Sequence, residues 1–132
     1  MKSMLFRGWS KNAGIEETRF EAGEIGLHVV PASESLTVAV AGRATVDSSP
    51  HLRSMLLRLL RRAAAPVMVI DLSALSYVDI SGIATLLEAL KAAREQSVKL
   101  RLTGMTGQVS NLAKIAQLDT IFRAWGSEVE FC

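Results

Sequence analysis

The sequence of 132 residues has very little sulfur chemistry available, because Cys132 is its only cysteine. One thiol cannot form a disulfide within the chain or a thiolate metal site, so a reducing compartment is expected. Histidine is almost as scarce, and His28 and His51 stand too far apart to form a helical i, i+4 pair of histidine ligands. We therefore predict no metal site.

Long apolar runs and an excess of one charge are also missing. The longest apolar run, residues 63–70, is far too short to cross a bilayer, and the first twenty residues lack the apolar core of a signal peptide. Fifteen basic and thirteen acidic residues leave a formal charge of only +2, which does not favour a nucleic-acid partner. We expect a cytoplasmic protein with no direct membrane insertion and no nucleic-acid partner.

Two common catalytic motifs are absent as well. Gly104 and Gly107 are not followed by Gly-Lys-Ser or Gly-Lys-Thr, so a phosphate-binding loop is not indicated. A hydrolytic triad of Ser81, His51 and Asp47 is conceivable in space, but the serine lacks the Gly-x-Ser-x-Gly context of a nucleophile elbow. We predict no catalytic residue, no cofactor and no enzymatic activity.

The most informative stretch present is residues 66–92. Its apolar run at 67–70 follows a proline and is typical of a strand covered on both faces. Leucine and isoleucine then recur at helical spacing, at Ile83, Leu86, Leu87 and Leu90, which predicts an amphipathic helix. Ser81 stands at the expected N-cap of that helix, and Gly82 permits close approach of another backbone.

The rest of the chain alternates strand and helix patterns. Strands are predicted at 25–30, 36–41 and 98–102, and helices after Pro50 and from Thr106, with Ile121 and Phe122 as an optional last strand. The pattern predicts a single α/β domain with a mixed four- to five-stranded sheet, about three helices and the order β-β-α-β-α-β-α(-β). We expect the domain to span residues 24–125, between a flexible extension at 1–23 and a tail at 126–132.

From the sequence pattern alone, we predict that Ser81 only caps the helix and is not a phosphorylation site, because most serines at N-cap positions are never phosphorylated. A phosphate at this position would meet free backbone amides and the positive end of the helix macrodipole, so the helix should persist after modification. The consequence of modification would then lie in what the surface can bind.

Two segments, GRATVDSSPHLR and VMVIDLSALSYVDISGIATLLEALKAAR, resemble the STAS domain of bacterial anti-sigma factor antagonists, and the similarity covers residues 26–125. The resemblance implies that Ser81 is phosphorylated by a partner kinase, of the ATP-binding histidine-kinase-like type, that is itself the anti-sigma factor. It also implies that the unphosphorylated protein binds this kinase and frees a sigma factor, and that a serine phosphatase resets the system. The implied partner-binding residues are Thr45, Asp47, Ser48, Asp79, Ile80, Ser81 and Gly82.

Two positions depart from the family pattern. Ile80 replaces the serine or threonine that many members carry, and Thr45 replaces an aspartate, with Asp47 nearby. An alternative function keeps the STAS fold but makes the protein a non-phosphorylated subunit of a lipid-transport ABC complex or a signalling scaffold. Leu57 and the arginines beside it would then be candidate contacts. The partner's identity and the oligomeric state stay open.

Overall fold

The structure is a computed structural model that describes residues 15–63 and 65–131. Its strands are β1 (Thr18–Ala22), β2 (Ile25–Pro31), β3 (Ser35–Ala44), β4 (Val67–Val78), β5 (Lys99–Met105) and β6 (Glu128–Phe131). Its helices are α1 (Ser49–Arg62), α2 (Ile80–Glu95), α3 (Gly107–Ile115) and α4 (Leu118–Ala124). Within the described ranges, no helix is long and apolar enough to cross a membrane.

The six strands form one mixed sheet in the order β1-β2-β3-β4-β5-β6. The first three strands pair antiparallel, and β3 to β6 pair parallel because a helix connects each strand to the next. The register brings Leu36, Met68 and Leu100 into one row across the sheet. The predicted α/β class and mixed sheet are confirmed.

The core lies on one face of the sheet. Buried side chains alternate along each strand, so that Val38, Ile70 and Leu102 form a fully buried row in the same hydrophobic cluster as residues from all four helices. Val67 and Val69, on the opposite face of β4, are only half-buried. The prediction that this strand is covered on both faces was wrong, because its apolar run includes residues that the helices do not cover.

The extra strands explain why the sheet is larger than predicted. β1 lies inside the predicted flexible extension and β6 inside the predicted tail, so both of those assignments are corrected for the residues concerned. Ile121 and Phe122 belong to α4, not to a terminal strand. The remaining part of the predicted extension, residues 1–14, lies outside the described residues.

The two longest strands position the site. β3 pairs with β4 from Ser35 to Ala44, whereas β5 pairs with β4 only along residues 67–71. The last seven residues of β4 therefore continue past β5. At this edge Ala44 and Val78 are register partners, and the loops that follow them lie side by side.

Candidate functional site

The site consists of the loop at residues 45–48, between β3 and α1, and the turn at residues 79–82, between β4 and α2. The backbone N–H of Asp79 donates to the carbonyl of Ala44 at 3.0 Å, and the N–H of Val46 donates to Asp79 Oδ2 at 3.0 Å. These two bonds hold the loop against the turn. The structure thus places together the residues that the sequence predicted for partner binding.

Asp79, not Ser81, is the N-cap of α2. Its backbone is extended, and its Oδ1 accepts hydrogen bonds from the N–H groups of Ser81 at 2.8 Å and Gly82 at 3.2 Å. Ser81 is already the second residue of the helix. The predicted capping role of Ser81 was therefore wrong, because the aspartate two residues earlier satisfies the amides that a cap must satisfy.

Ser81 is half-buried, and its hydroxyl forms no hydrogen bond with any residue that the structure describes. Its own N–H and that of Gly82 are occupied by Asp79. The expectation that free amides are available to a phosphate at this position was also wrong, because a phosphate would have to compete with the Asp79 carboxylate for these amides. The hydroxyl itself has no structural task among these residues.

Gly82 is required by close packing. A Cβ placed on this residue would lie 2.4 Å from Val78 Cγ2 and 2.9 Å from the carbonyl oxygen of Ala44. Real Cβ atoms do not approach other atoms so closely, so a larger residue would push α2 away from the ends of β3 and β4. The glycine thus lets the first turn of α2 sit directly on the strand ends.

Side chains also fix the loop at residues 45–48 from within. The Ser48 hydroxyl donates to the carbonyl of Arg43 at 2.6 Å and accepts from the N–H of Thr45 at 2.9 Å. The Thr45 hydroxyl donates to Glu24 and accepts from the N–H of Asp47 at 3.2 Å. Ser48 is the N-cap of α1, but its side chain joins two parts of the loop instead of bonding to the helix.

One large apolar side chain is exposed in the turn at residues 79–82, and another is exposed in the loop at residues 45–48. Ile80 is 69% exposed and Val46 is 66% exposed, although each follows a buried strand end. These are two of the six large apolar side chains that are exposed among the described residues. A shallow groove between α1 and α2 begins here and is lined by Val46, Ser49, Pro50, Arg53, Ser54, Ser81, Ala84, Thr85 and Glu88.

Of the polar side chains that line the groove, two form an ion pair and one is buried without a hydrogen-bond partner. Arg53 Nε and Glu88 Oε2 form an ion pair of 2.8 Å that joins α1 to α2. The hydroxyl of Ser49, by contrast, is buried and has no hydrogen-bond partner within the described residues. On the far side of the loop, the Arg43 guanidinium lies 4.3 Å from the Tyr77 ring centre and 3.4 Å from Glu24.

Some residues considered from the sequence lie elsewhere. His51 lines a groove between β1 and α1, whereas Ser81 lines the groove between α1 and α2, so the structure does not bring the hydrolytic pair together. Leu57 is half-buried further along α1, beside Glu88 and Lys91. Among residues 15–63 and 65–131, no group of three or more potential ligands is suited to a metal ion.

Sequence reasoning missed three residues that shape the site. Val46 is an apolar residue among the polar residues of the predicted loop, and this contrast in the sequence was a usable signal. Glu24, which accepts from Thr45, and Gln108, which bonds to Val78, act across 21 and 30 residues of sequence. No local pattern indicates such distant partners.

The fold is shared with anti-sigma factor antagonists and with part of a transporter. An antagonist from Mycobacterium paratuberculosis has 20% sequence identity and a TM-score of 0.65, over 78% of this chain and 87% of that chain. Phosphorylated SpoIIAA, a Bacillus cell fate determinant, has 13% identity and a TM-score of 0.58, over 80% of this chain and 91% of that chain. The murine anion transporter Slc26a9 has 17% identity and a TM-score of 0.63, over 76% of this chain and 17% of that chain.

A family model with the description "Mlab, STAS domain" matches residues 27–123. This range contains the paired strand ends, both loops of the site, the first three helices and all of α4 except Ala124. It also contains the Asp79, Ser81 and Gly82 positions on which the resemblance depended. The chain therefore belongs to the STAS domain family.

Proposed function

We propose that this protein is an anti-sigma factor antagonist, a cytoplasmic bacterial binding module without enzymatic activity. Its surface around Ser81 binds a kinase-type anti-sigma factor of the ATP-binding histidine-kinase-like class. Phosphorylation of Ser81 by that kinase releases the complex, and a serine phosphatase restores binding. The contact residues are Thr45, Asp47, Ser48, Asp79, Ile80, Ser81 and Gly82.

The observation that carries this proposal is the division of tasks between Asp79 and Ser81. Asp79 caps α2 and holds Val46, whereas the Ser81 hydroxyl has no partner in the described part of the chain. The fold does not need the Ser81 hydroxyl, and the same turn carries the exposed Ile80. Ser81 is therefore available to a kinase. Support also comes from SpoIIAA, because its unphosphorylated form and its phosphorylated form both share the fold of this chain.

The same geometry predicts that phosphorylation of Ser81 weakens binding. A phosphoserine carries roughly −1.5 to −2 charges at neutral pH. At Ser81 that charge stands beside the Asp79 carboxylate, so the two groups repel each other and compete for the same amides. Either group can cap the helix, so α2 persists. The surface around Val46 and Ile80, which already carries the Asp47 and Asp79 carboxylates, meanwhile gains further negative charge, which opposes an apolar contact or an acidic partner.

The proposal is tested by phosphate transfer from a kinase-type anti-sigma factor of the class named above, taken from the same genome. The full chain is incubated with that kinase and labelled ATP, and phosphate is located by mass spectrometry. Wild type and the control Ser54→Ala, whose serine lines the same groove on α1, should each take up one phosphate, and Ser81→Ala should take up none. Phosphate uptake by Ser81→Ala, or none by wild type, would refute the assignment.

A second candidate function is a constitutive STAS subunit of a lipid-transport ABC complex or a signalling scaffold. The exposed Val46 and Ile80 favour it, because an apolar surface also suits a permanent interface that needs no modification. The similarity to part of an anion transporter agrees with a role within a transport assembly. Co-purification of the unmodified chain with an ABC ATPase, in the absence of a kinase, would select this function.

A further inference from the structure

Gln108, the second residue of α3, forms two hydrogen bonds with the backbone of a single residue at the end of β4. Its Oε1 accepts from the N–H of Val78 at 2.9 Å, and its Nε2 donates to the carbonyl of Val78 at 2.6 Å. A carboxamide offers an acceptor and donors on adjacent atoms, as a peptide group does. The side chain therefore pairs with Val78 in the way that a neighbouring strand would.

Val78 needs such a partner because β4 extends beyond the end of its pairing with β5. On one side β3 pairs with β4 as far as Val78, but on the other side β5 pairs only along residues 67–71. Val78 is 1% exposed, so water cannot satisfy its N–H and carbonyl. Buried backbone groups without a partner are costly, and Gln108 supplies both missing bonds across 30 residues of sequence.

The position of Val78 is transmitted directly to Ser81. Val78 precedes Asp79 in the chain, and its Cγ2 would lie 2.4 Å from a Cβ on Gly82, so the two residues are packed at the closest distance that glycine allows. Asp79 and Gly82 stand on either side of Ser81. A shift of Val78 therefore displaces the cap of α2 and the presentation of the Ser81 hydroxyl together.

We propose that Gln108 is a positioning residue, which holds the turn at residues 79–82 in the geometry needed for kinase docking and phosphate transfer without itself contacting the Ser81 hydroxyl. The docking part of this inference rests on the proposed function. The effect on the turn does not, because it is a property of the isolated chain. The two parts are accordingly measured separately.

The effect on the turn is tested with Gln108→Glu in the full chain. A neutral carboxyl group offers the same acceptor and donor as the carboxamide, but a carboxylate cannot donate and faces the Val78 carbonyl with negative charge. Backbone amide resonances are followed by NMR from pH 7 down through about 4.3, the ordinary pKa of glutamate. The resonances of Val78 and Ser81 should differ from wild type at pH 7 and converge on wild type once the introduced carboxyl is protonated.

The matched control is Gln117→Glu, which adds the same charge at an exposed glutamine whose side chain forms no hydrogen bond with the described residues. The measured quantity is the difference from wild type at each pH, which removes the changes that all variants share. Resonances of Val78 and Ser81 that match wild type at pH 7, or that differ from it equally at both ends of the titration, would overturn the positioning role.

The effect on docking is tested at pH 7 with Gln108→Met, which retains the side-chain length and loses both hydrogen bonds. With the kinase used for Ser81, kcat/KM for phosphate transfer should fall about tenfold or more, and Gln117→Met should match wild type. A displaced turn with an unchanged kcat/KM would overturn the role in docking. Failure of wild type to be phosphorylated would instead refute the proposed function, and the NMR result would still decide the positioning of the turn.

Discussion

At the scale of single residues, the site depends on which of two neighbouring side chains caps α2. Aspartate and serine are both good N-caps, and the sequence Asp-Ile-Ser offers both within three residues. The choice is made by tertiary contacts, because the Asp79 carboxylate can bond to the helix and to Val46 at the same time. Sequence reasoning found the correct turn and the wrong cap, since the bond to Val46 spans 33 residues.

The division between Asp79 and Ser81 predicts stability effects of different size for two alanine variants. Asp79→Ala should lower the free energy of unfolding by about 1 kcal/mol, because two N–H groups of α2 lose their acceptor. Ser81→Ala should change it by less than about 0.5 kcal/mol, because the hydroxyl has no partner among the described residues. Urea denaturation of both variants measures this difference. Equal losses would show that Ser81 contributes to capping after all.

Gly82 gives a second prediction at this scale. Gly82→Ala should destabilise the protein by about 1–3 kcal/mol, because the added methyl would overlap Val78 and the carbonyl of Ala44. Gly26→Ala is the matched control: its added Cβ would meet atoms at 3.6 Å, an ordinary contact distance. Thermal unfolding should separate the two variants. A Gly82→Ala protein as stable as Gly26→Ala would contradict the packing of α2 on the strand ends.

At the scale of elements, the central strands and the two long helices were predictable because their apolar spacing is regular. β1 was missed because its sequence, Thr-Arg-Phe-Glu-Ala, has a single large apolar residue, and its stability comes from pairing with β2. β6 is only four residues long and alternates acidic with apolar side chains. Ile121 and Phe122 are an adjacent apolar pair, which by itself does not distinguish a helix from a strand.

The pairing of β6 with β5 includes a charge cluster that gives a prediction on pH. Hydrogen bonds from Lys99 first, and then from Arg101, hold the pKa of Glu128 below its usual range. A lowered pKa in the folded state means that this carboxylate stabilises the fold above its unfolded pKa of about 4.3. That contribution is lost as the pH falls through the lower folded value.

Glu128→Gln should therefore reduce stability slightly at pH 7, and its difference from wild type should vanish in acid and shrink in high salt, because the group is exposed. Glu130→Gln serves as the control, since Glu130 lies 3.9 Å from Arg101 and should matter less. Urea midpoints at pH 7 and at low pH measure both effects. A difference that persists unchanged in acid would contradict the ion-pair account of β6.

At the scale of the whole molecule, the sheet buries one face beneath four helices and brings the ends of β3 and β4 to a common edge. Loops at the carboxyl ends of parallel strands are where open α/β sheets place their binding sites, and both loops of this site lie there. That Thr45, Ser48, Asp79 and Ser81 share one surface was implied by the resemblance to STAS domains and not by the strand pattern. Neither was sufficient to find Gln108, which reaches the site only because β4 extends beyond β5.

The fold supports the turn at residues 79–82, which is the site of phosphorylation in the proposed function. β3, Gln108 and the loop at residues 45–48 hold that turn from three directions, so in the proposed switch a phosphate on Ser81 would change the charge of the surface and leave its backbone in place. Such a switch alters the affinity for a partner without unfolding α2. The fold should therefore be retained in both forms.

The most direct test is a calorimetric titration of the kinase-type anti-sigma factor, held in ADP so that no transfer occurs, with the chain in two forms. The unphosphorylated chain should bind, and the chain fully phosphorylated at Ser81 should bind at least about tenfold more weakly, a loss of about 1.4 kcal/mol. Circular dichroism should show the same helix content in both forms. Equal affinities for the two forms would contradict the claim that Ser81 controls docking.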